Sequence, residues 1–457
     1  MTDRPDEAIN VIDLIDESGF SAFQWMIFAL CVSIVALDGF DTAAIGFIAP
    51  SLTREWHIAR PDLAPVLSAA LFGLAGGALA SGPIADWIGR KKVLLIAVVV
   101  MGAASLCAAS ASDLSALTIW RFVTGLGLGA AMPNAVTLIS EYAPSAKRAF
   151  ITNAMFCGFP LGSALGGFVA AWIIPQHGWR AVLFIGGAAP LALAVGAFSF
   201  LPESPRFMAR KGFSTDSIRR VLSRISPRAD TASGFFLREP LHPSEAFTGE
   251  KDGIGLILSS WFRVGTLCLW LAYFMGLVIF YGLVNWMPVM FRDAGMADST
   301  ATIVTALFQL GGLGALGSGW LMDRFDSNLT IAVCYLLTAL LVFCISVSLG
   351  GVVLLAGVVF LAGVAMNTAQ ASMPTLAAGF YPTGGRATGV SWMLGVGRFG
   401  GIAGSFLVAE LSRRGLTTPQ IFMIVAMPGA VAAAAILLKR SLYGAARPEG
   451  AAQAIPH

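Results

Sequence analysis

The chain has 457 residues, 56% of them hydrophobic and only 12% charged, where an ordinary soluble protein carries about 25% charged residues. That balance excludes a soluble globular protein and points to a chain that crosses a membrane many times. The formal charge of +3 gives no reason to expect nucleic acid. The six cysteines (31, 107, 157, 268, 334 and 344) lie in apolar runs without CxxC spacing, so neither a disulfide framework nor a metal site is indicated.

In chain order, residues 1–22 are acidic and lack the basic start of a signal peptide. Ile9, Ile12 and Ile15, with acids between them, predict a short amphipathic helix lying at the membrane interface. Apolar runs long enough to cross ~30 Å of hydrocarbon follow at 23–49, 63–84, 92–111, 115–140, 149–174 and 179–201. A polar stretch rich in Arg, Ser and Pro, 202–262, reads as a cytoplasmic linker. A second set of runs lies at 263–291, 298–322, 328–349, 352–378, 386–411 and 418–438, and 439–457 forms a tail. The expectation is an all-α membrane protein with twelve transmembrane helices in two six-helix bundles, 23–201 and 263–438.

Orientation follows from the Lys and Arg positions. With the N-terminus inside, 21 of the 29 fall on cytoplasmic segments and six on outer loops, which predicts that both termini are cytoplasmic. Only Arg121 and Arg398 are left within the runs. The four histidines (57, 177, 242 and 457) lie in loops or the tail, and no nucleophile–base pair suggests an enzyme.

The two halves echo each other. GPIADWIGRKK (82–92) corresponds to GWLMDRFD (319–326), and EYAP (141–144) followed by Arg148 corresponds to FYP (380–382) followed by Arg386. Duplicated halves joined by a middle loop describe a transporter whose bundles rock about a central site.

At these residues the chain resembles the major facilitator superfamily over essentially its whole length. The 82–92 loop is that superfamily's strongest signature, and PESPR (202–206) is a common companion. The second copy of the loop departs from the pattern, with Asp326 where Gly is expected and no basic run, so a weaker gate is expected on that side. Within the superfamily, DGFDTAAIGFIAP (38–50) resembles the first-helix signature of the aromatic acid:proton symporters. RFVTGLGLG (121–129), MFCGF (155–159) and RATGVSW (386–392) extend the match. The resemblance implies the major facilitator fold and import of benzoate-type acids, such as 4-hydroxybenzoate or protocatechuate, with protons. It further implies the bacterial inner membrane, a catabolic role and a monomer without cofactors. The rival expectations are another organic acid or sugar-like solute as cargo, or a sensor of aromatic acids.

Ionisable groups at mid-membrane cost at least ~2.5 kcal/mol each and normally mark a pathway. Asp38 and Asp41 share one face of the first helix and are expected to titrate as a coupled pair that carries protons. By depth, either of them can pair with Arg121; a fixed ion pair joining helices one and four is the plainer reading. Arg398 lies near the centre of its helix among Gly395, Gly397, Gly400 and Gly401, and its planar fork suits a substrate carboxylate, unless an acid of the other bundle takes it. An aromatic ring needs an apolar slot with few polar groups. Candidates at mid-depth are Phe156, Tyr273, Phe274, Tyr281, Gln309, Asn367, Gln370 and Trp392, with Asn367 and Gln370 on one face for a ring hydroxyl; packing is the competing role for each. The gate is expected to involve Asp86 with Gly89 and Arg90, Glu141 with Arg148, and their second-half counterparts Asp323 and Arg386.

Overall fold

The computed structural model describes residues 8–237, 254–317, 322, 324–381 and 383–444. After a two-residue strand β1 (Ile9–Asn10) and a short helix α1 (Val11–Glu17), the first predicted run forms one long helix, α2 (Ala22–Glu55). There follow α3 (Ala64–Ile88), α4 (Arg90–Ala109), α5 (Leu114–Tyr142), α6 (Arg148–Phe156), α7 (Gly158–His177) and α8 (Arg180–Phe200). The predicted linker holds α9 (Pro205–Arg210), α10 (Thr215–Leu222), strand β2 (Phe235–Phe236) and α11 (Ile254–Ile257). Beyond it run α12 (Arg263–Asp293), α13 (Asp298–Leu310), α14 (Ser327–Val347), α15 (Val352–Phe380), α16 (Thr383–Arg413) and α17 (Thr418–Tyr443).

Eleven spans among the described residues are long and apolar enough to cross a membrane. They coincide with eleven of the twelve predicted runs. The fifth run is divided at Cys157 into α6 and α7. The eighth is the exception by length: α13 stops after 13 residues and tightens into a 3-10 turn over Gly311–Gly317, a GGLGALG stretch whose glycines are poor at holding an α-helix.

Several helix starts follow from local chemistry. Asp113 accepts the Ala116 N–H at 2.8 Å to cap α5, and Asp326 accepts the Leu329 N–H at 2.7 Å to cap α14. At α17, Thr417 and Gln420 form a capping box with Pro in the first turn. Asp326, the residue that breaks the signature in the second copy, therefore has a structural task as a helix cap.

By contacts the chain divides into two compact units. One comprises Met1–Asp41, Phe72–Gly162 and Leu183–Leu241; the other comprises Thr42–Leu71, Ser163–Val182 and His242–His457. In the first, small residues let backbones touch: a Cβ on Gly162 would overlap Ala36, and one on Gly129 would overlap Leu74. In the second, the same stripe logic joins α16 to α12, where Gly400 and Gly404 lie against the carbonyls of Phe274 and Val278.

The N-terminal segment corrects one expectation. Val11, Leu14 and Ile15 of α1 belong to the core of the first unit, with Met208, Ile218, Leu222 and Ile225 in the same cluster, and Ile12 is buried as well. Strand β1 pairs in parallel with β2, Ile9 opposite Phe235. The amphipathic pattern is real, but its apolar face is covered by the linker and so is not available to lipid.

Candidate functional site

The two acids on α2 are both buried, Asp38 at 2% exposure and Asp41 at 0%. Asp41 takes the partner that either acid was expected to take. Arg121 of α5, itself fully buried, donates from Nη1 to Asp41 Oδ2 at 2.8 Å and from Nη2 to the Asp41 main-chain carbonyl at 3.0 Å. A planar fork that engages side chain and backbone at once fixes the rotamer of the acid. The Nε of Arg121 is buried without a hydrogen-bond partner among the described residues. The second carboxylate oxygen, Oδ1, faces α4, where the Ser105 hydroxyl lies 3.3 Å away and also 3.2 Å from the Leu183 carbonyl at the start of α8. Gly186 gives this corner its room: a Cβ there would come 3.4 Å from Ser105 Oγ and 3.2 Å from the Phe40 ring.

Arg398 has a different environment. It is the midpoint of α16, about 22 Å from either end at 1.5 Å per residue, and is half-buried. Among the described residues it forms no hydrogen bond and no ion pair, in contrast to Arg121. Its neighbour Gly397 abuts the Tyr273 ring, and a Cβ on Gly401 would lie 2.6 Å from the Tyr281 ring. Helix α12, whose Tyr273 meets Gly397, is in turn met by polar groups of α14 and α15: the Tyr335 hydroxyl donates to Gln370 Oε1 at 2.7 Å, while Gly276 of α12 fits against both groups. Asn367 donates to its own helix at the Gly363 carbonyl, 2.8 Å, leaving its amide oxygen outside that bond.

The remaining candidates scatter. Gln309 is fully buried and donates to Ser163 Oγ at 2.7 Å, with Oε1 unpartnered among the described residues. Trp392 is exposed and stacks on Trp270, ring centroids 5.8 Å apart. Phe156 is exposed, and Phe274 presents its backbone to Gly400. Tyr335, Ser105 and Ser163 were not singled out from sequence; a serine or tyrosine inside an apolar run gives no periodic signal of its own.

The signature loop is organised by Glu203. Its Oε1 accepts the backbone N–H groups of Arg90 at 3.0 Å, Lys91 at 3.2 Å and Ser204 at 2.9 Å, and so caps α4 from a distance in sequence. Burial pushes the Glu203 carboxyl above its ordinary value, and the three N–H groups with nearby Arg90 oppose that rise. The Tyr142 hydroxyl donates to the Glu203 carbonyl at 2.7 Å. The expected pairing of Glu141 is corrected: its partner is Arg90, Nε to Oε1 3.4 Å, while Arg148 donates to Ser145 Oγ at 3.0 Å. Arg90 reaches Glu141 because its helix start is held against α5 and α9, with Phe207 of α9 under the guanidinium at 5.2 Å. Asp323 and the side chains of Asp86 and Arg386 lie outside the described residues.

A helical membrane protein whose first long helix carries a buried carboxylate paired with a guanidinium of α5, and which holds halfway along another helix a guanidinium with no anionic partner among the described residues, is a secondary transporter by class. The Major Facilitator Superfamily family model matches residues 31–405 and 291–453, and the chain belongs to that superfamily. It is 46% identical over 434 residues to the 4-hydroxybenzoate transporter PcaK of Pseudomonas putida, covering 95% of this chain and 96% of the relative. The PcaK protein of Pseudomonas aeruginosa is 48% identical over 435 residues, with the same coverage. A gallate transporter of Pseudomonas putida is 45% identical over 437 residues, covering 94% and 95%. Among solved structures, a D-xylose-proton symporter aligns with a TM-score of 0.70 at 17% identity, covering 91% of this chain and 97% of the other. At that identity the likeness speaks for the fold.

Proposed function

We propose that this protein is a proton-coupled symporter that imports aromatic carboxylates, 4-hydroxybenzoate, protocatechuate or a related benzoate, across the bacterial inner membrane. The observation that carries the reading is the contrast between the two intramembrane arginines: Arg121 is satisfied by Asp41, and Arg398 has no anionic partner among the described residues. A half-buried guanidinium at mid-helix is a standing demand for an anion, and the names of the relatives supply its chemistry, a ring bearing a carboxylate and hydroxyl groups. Arg398 takes the carboxylate, with the Tyr273 and Tyr281 rings on the facing helix as apolar neighbours and the Asn367 amide oxygen as the acceptor for a ring hydroxyl. Gln370 is engaged by Tyr335 and acts through it.

The proton answers an electrical difficulty. Importing one negative charge into a negative interior costs about 2.3 kcal/mol per 100 mV, and one accompanying proton cancels it. Asp41, with Asp38 one turn away, carries that proton. The two bundles, 23–201 and 263–438, alternate access in a monomer with both termini cytoplasmic. Asp86, Gly89, Arg90, Glu141, Arg148, Asp323 and Arg386 stabilise one of the two conformations. The gallate relative, as similar as the 4-hydroxybenzoate transporters, keeps the number of ring hydroxyls open.

The test is uptake of labelled 4-hydroxybenzoate, protocatechuate and gallate into proteoliposomes under an inward proton gradient. Accumulation above equilibrium that a protonophore collapses is the expected result, and Asp41→Asn abolishes accumulation while sparing some exchange. Uptake indifferent to the gradient, or full accumulation by Asp41→Asn, removes the proton-coupled reading.

A further inference from the structure

Asp41 has two carboxylate oxygens with unequal surroundings. Oδ2 is held by Arg121, whose Nη2 simultaneously grips the Asp41 carbonyl, so that oxygen stays engaged whatever the charge on the acid. Among the described residues Oδ1 has one hydrogen-bond partner, the hydroxyl of fully buried Ser105, and this hydroxyl has two acceptors at nearly equal distance, Asp41 Oδ1 at 3.3 Å and the Leu183 carbonyl at 3.2 Å. A serine owns one proton and can donate to one acceptor at a time.

We propose that Ser105 is a positioning residue for proton binding and release at Asp41, its hydroxyl turning between the carboxylate and the Leu183 carbonyl as the acid loses and gains its proton. When Asp41 is ionised, Ser105 donates to Oδ1. When a proton from water arrives at Oδ1, the new O–H donates to Ser105 Oγ and the serine proton swings to the Leu183 carbonyl. The switch needs only rotation of the serine hydroxyl, the one covalent bond made or broken at this corner is the acid's O–H, and in both protonation states Asp41 Oδ1 and the Ser105 hydroxyl stay paired. Burial makes that matter, since an unpaired donor or acceptor here has no water to turn to.

The groups that face Asp41 define the rest of its field. α5 presents Arg121; α2 itself carries Asp38 one turn away; α4 presents Ser105; α8 presents Gly186 and the Leu183 carbonyl. The other charges of α4 (Arg90, Lys91 and Lys92) sit about 20 Å along the helix from Ser105. Arg180, one turn before Leu183, is held by Glu55, and Glu141 lies at the far end of α5 with Arg90. Among the described groups, then, Ser105 is the neutral donor at the oxygen that takes the proton.

The direction of its effect follows. A hydrogen bond to an ionised acceptor is stronger than one between neutral groups, so deleting the hydroxyl weakens the ionised form more than the protonated one and raises the acid's proton affinity, by about five- to tenfold. The inference rests on the reading of Asp41 as the proton carrier. In proteoliposomes, Ser105→Ala is expected to move the midpoint of gradient-driven 4-hydroxybenzoate uptake upward by about 0.7–1 pH unit with KM for the aromatic acid unchanged, and Ser105→Thr restores the midpoint. A uniform loss of rate with an unmoved midpoint means Ser105 only packs α4 against α8, and overturns the proposal. If the alanine variant does not fold, Ser105→Cys decides: its weaker donor moves the midpoint part of the way, and an unmoved midpoint overturns the proposal. Asp41→Asn measured alongside separates the two readings, because full accumulation by that variant sinks the carrier role itself, whereas its loss with an unmoved Ser105→Ala midpoint sinks only the serine.

Discussion

Glu203 and Gly89 occupy each other's space: Glu203 Oε2 fills the position where a side chain at Gly89 would begin, while Oε1 holds the N–H groups of the next two residues. Gly89 also has φ of +105°, a backbone conformation that side chains rarely adopt. Gly89→Ala therefore meets strain and overlap together and is expected to cost at least ~1–2 kcal/mol, read as a lowered Tm of the purified protein. An alanine variant as stable as the parent would contradict the packing described.

The same carboxyl gives a pH dependence. Burial raises the folded-state pKa of Glu203 above its unfolded value, so the folded protein holds this proton longer than the unfolded chain. Its contribution to stability is complete below the ordinary carboxylate pKa and is lost as pH rises through the folded value. Tm measured from pH 4 to 7 should fall across that window, and Glu203→Gln should flatten this component of the curve.

Arg121 and Asp41 are expected to be strongly coupled in stability. Arg121→Ala leaves a buried carboxylate without its counter-charge and is expected to cost about 3–5 kcal/mol. Combining Asp41→Asn with Arg121→Gln removes both charges, so the double variant should unfold at a higher temperature than either single one. Additive losses would mean that the pair contributes no coupling.

Arg398 should behave oppositely. No ion pair among the described residues is broken by its removal, so Arg398→Ala is expected to leave Tm within about 2 °C while weakening binding of aromatic carboxylates at least tenfold, as measured by calorimetry. Unaltered affinity would take the carboxylate away from Arg398.

Arg292 ties the end of α12 to the end of α2, donating from Nη1 to the Pro50 carbonyl at 2.5 Å and to Thr53 Oγ1 at 2.6 Å, while Arg54 pairs with Asp298 at 2.8 Å. The bonds of Arg292 are charge-assisted and partly buried; the ion pair of Arg54 is largely exposed and contributes less. Arg292→Ala should therefore raise amide exchange at residues 51–55 roughly tenfold, and Arg54→Ala should change it little.

The helical segments were legible because apolar run length is a direct report of bilayer thickness, and the Asp41–Arg121 pair was legible because charges inside such runs are rare enough to find one another. Partner choice was harder wherever several answers shared one pattern. Glu141 has Arg148 nearby in sequence, yet the cap that Glu203 places on α4 brings Arg90 to it instead. The Ile9, Ile12 and Ile15 stripe specifies an apolar face without saying whether lipid or protein covers it. Ser105 left no trace in the sequence, since its role comes from three helices meeting at one hydroxyl. The glycines at 311–317 read as part of a helix in the sequence because their apolar neighbours outweigh their own poor propensity, and the chain instead tightens there into a 3-10 turn.

The pairing of Ile9 with Phe235 sets an order of events during synthesis. Strand β1 and helix α1 leave the ribosome long before the partners they meet here, because β2 and the α9 and α10 side chains that share their cluster belong to the linker made after α8. Until then the face of α1 that packs on α9 remains uncovered, a binding opportunity for any chaperone that attends the nascent chain. Docking of this segment then marks the moment at which the first half of the protein is complete.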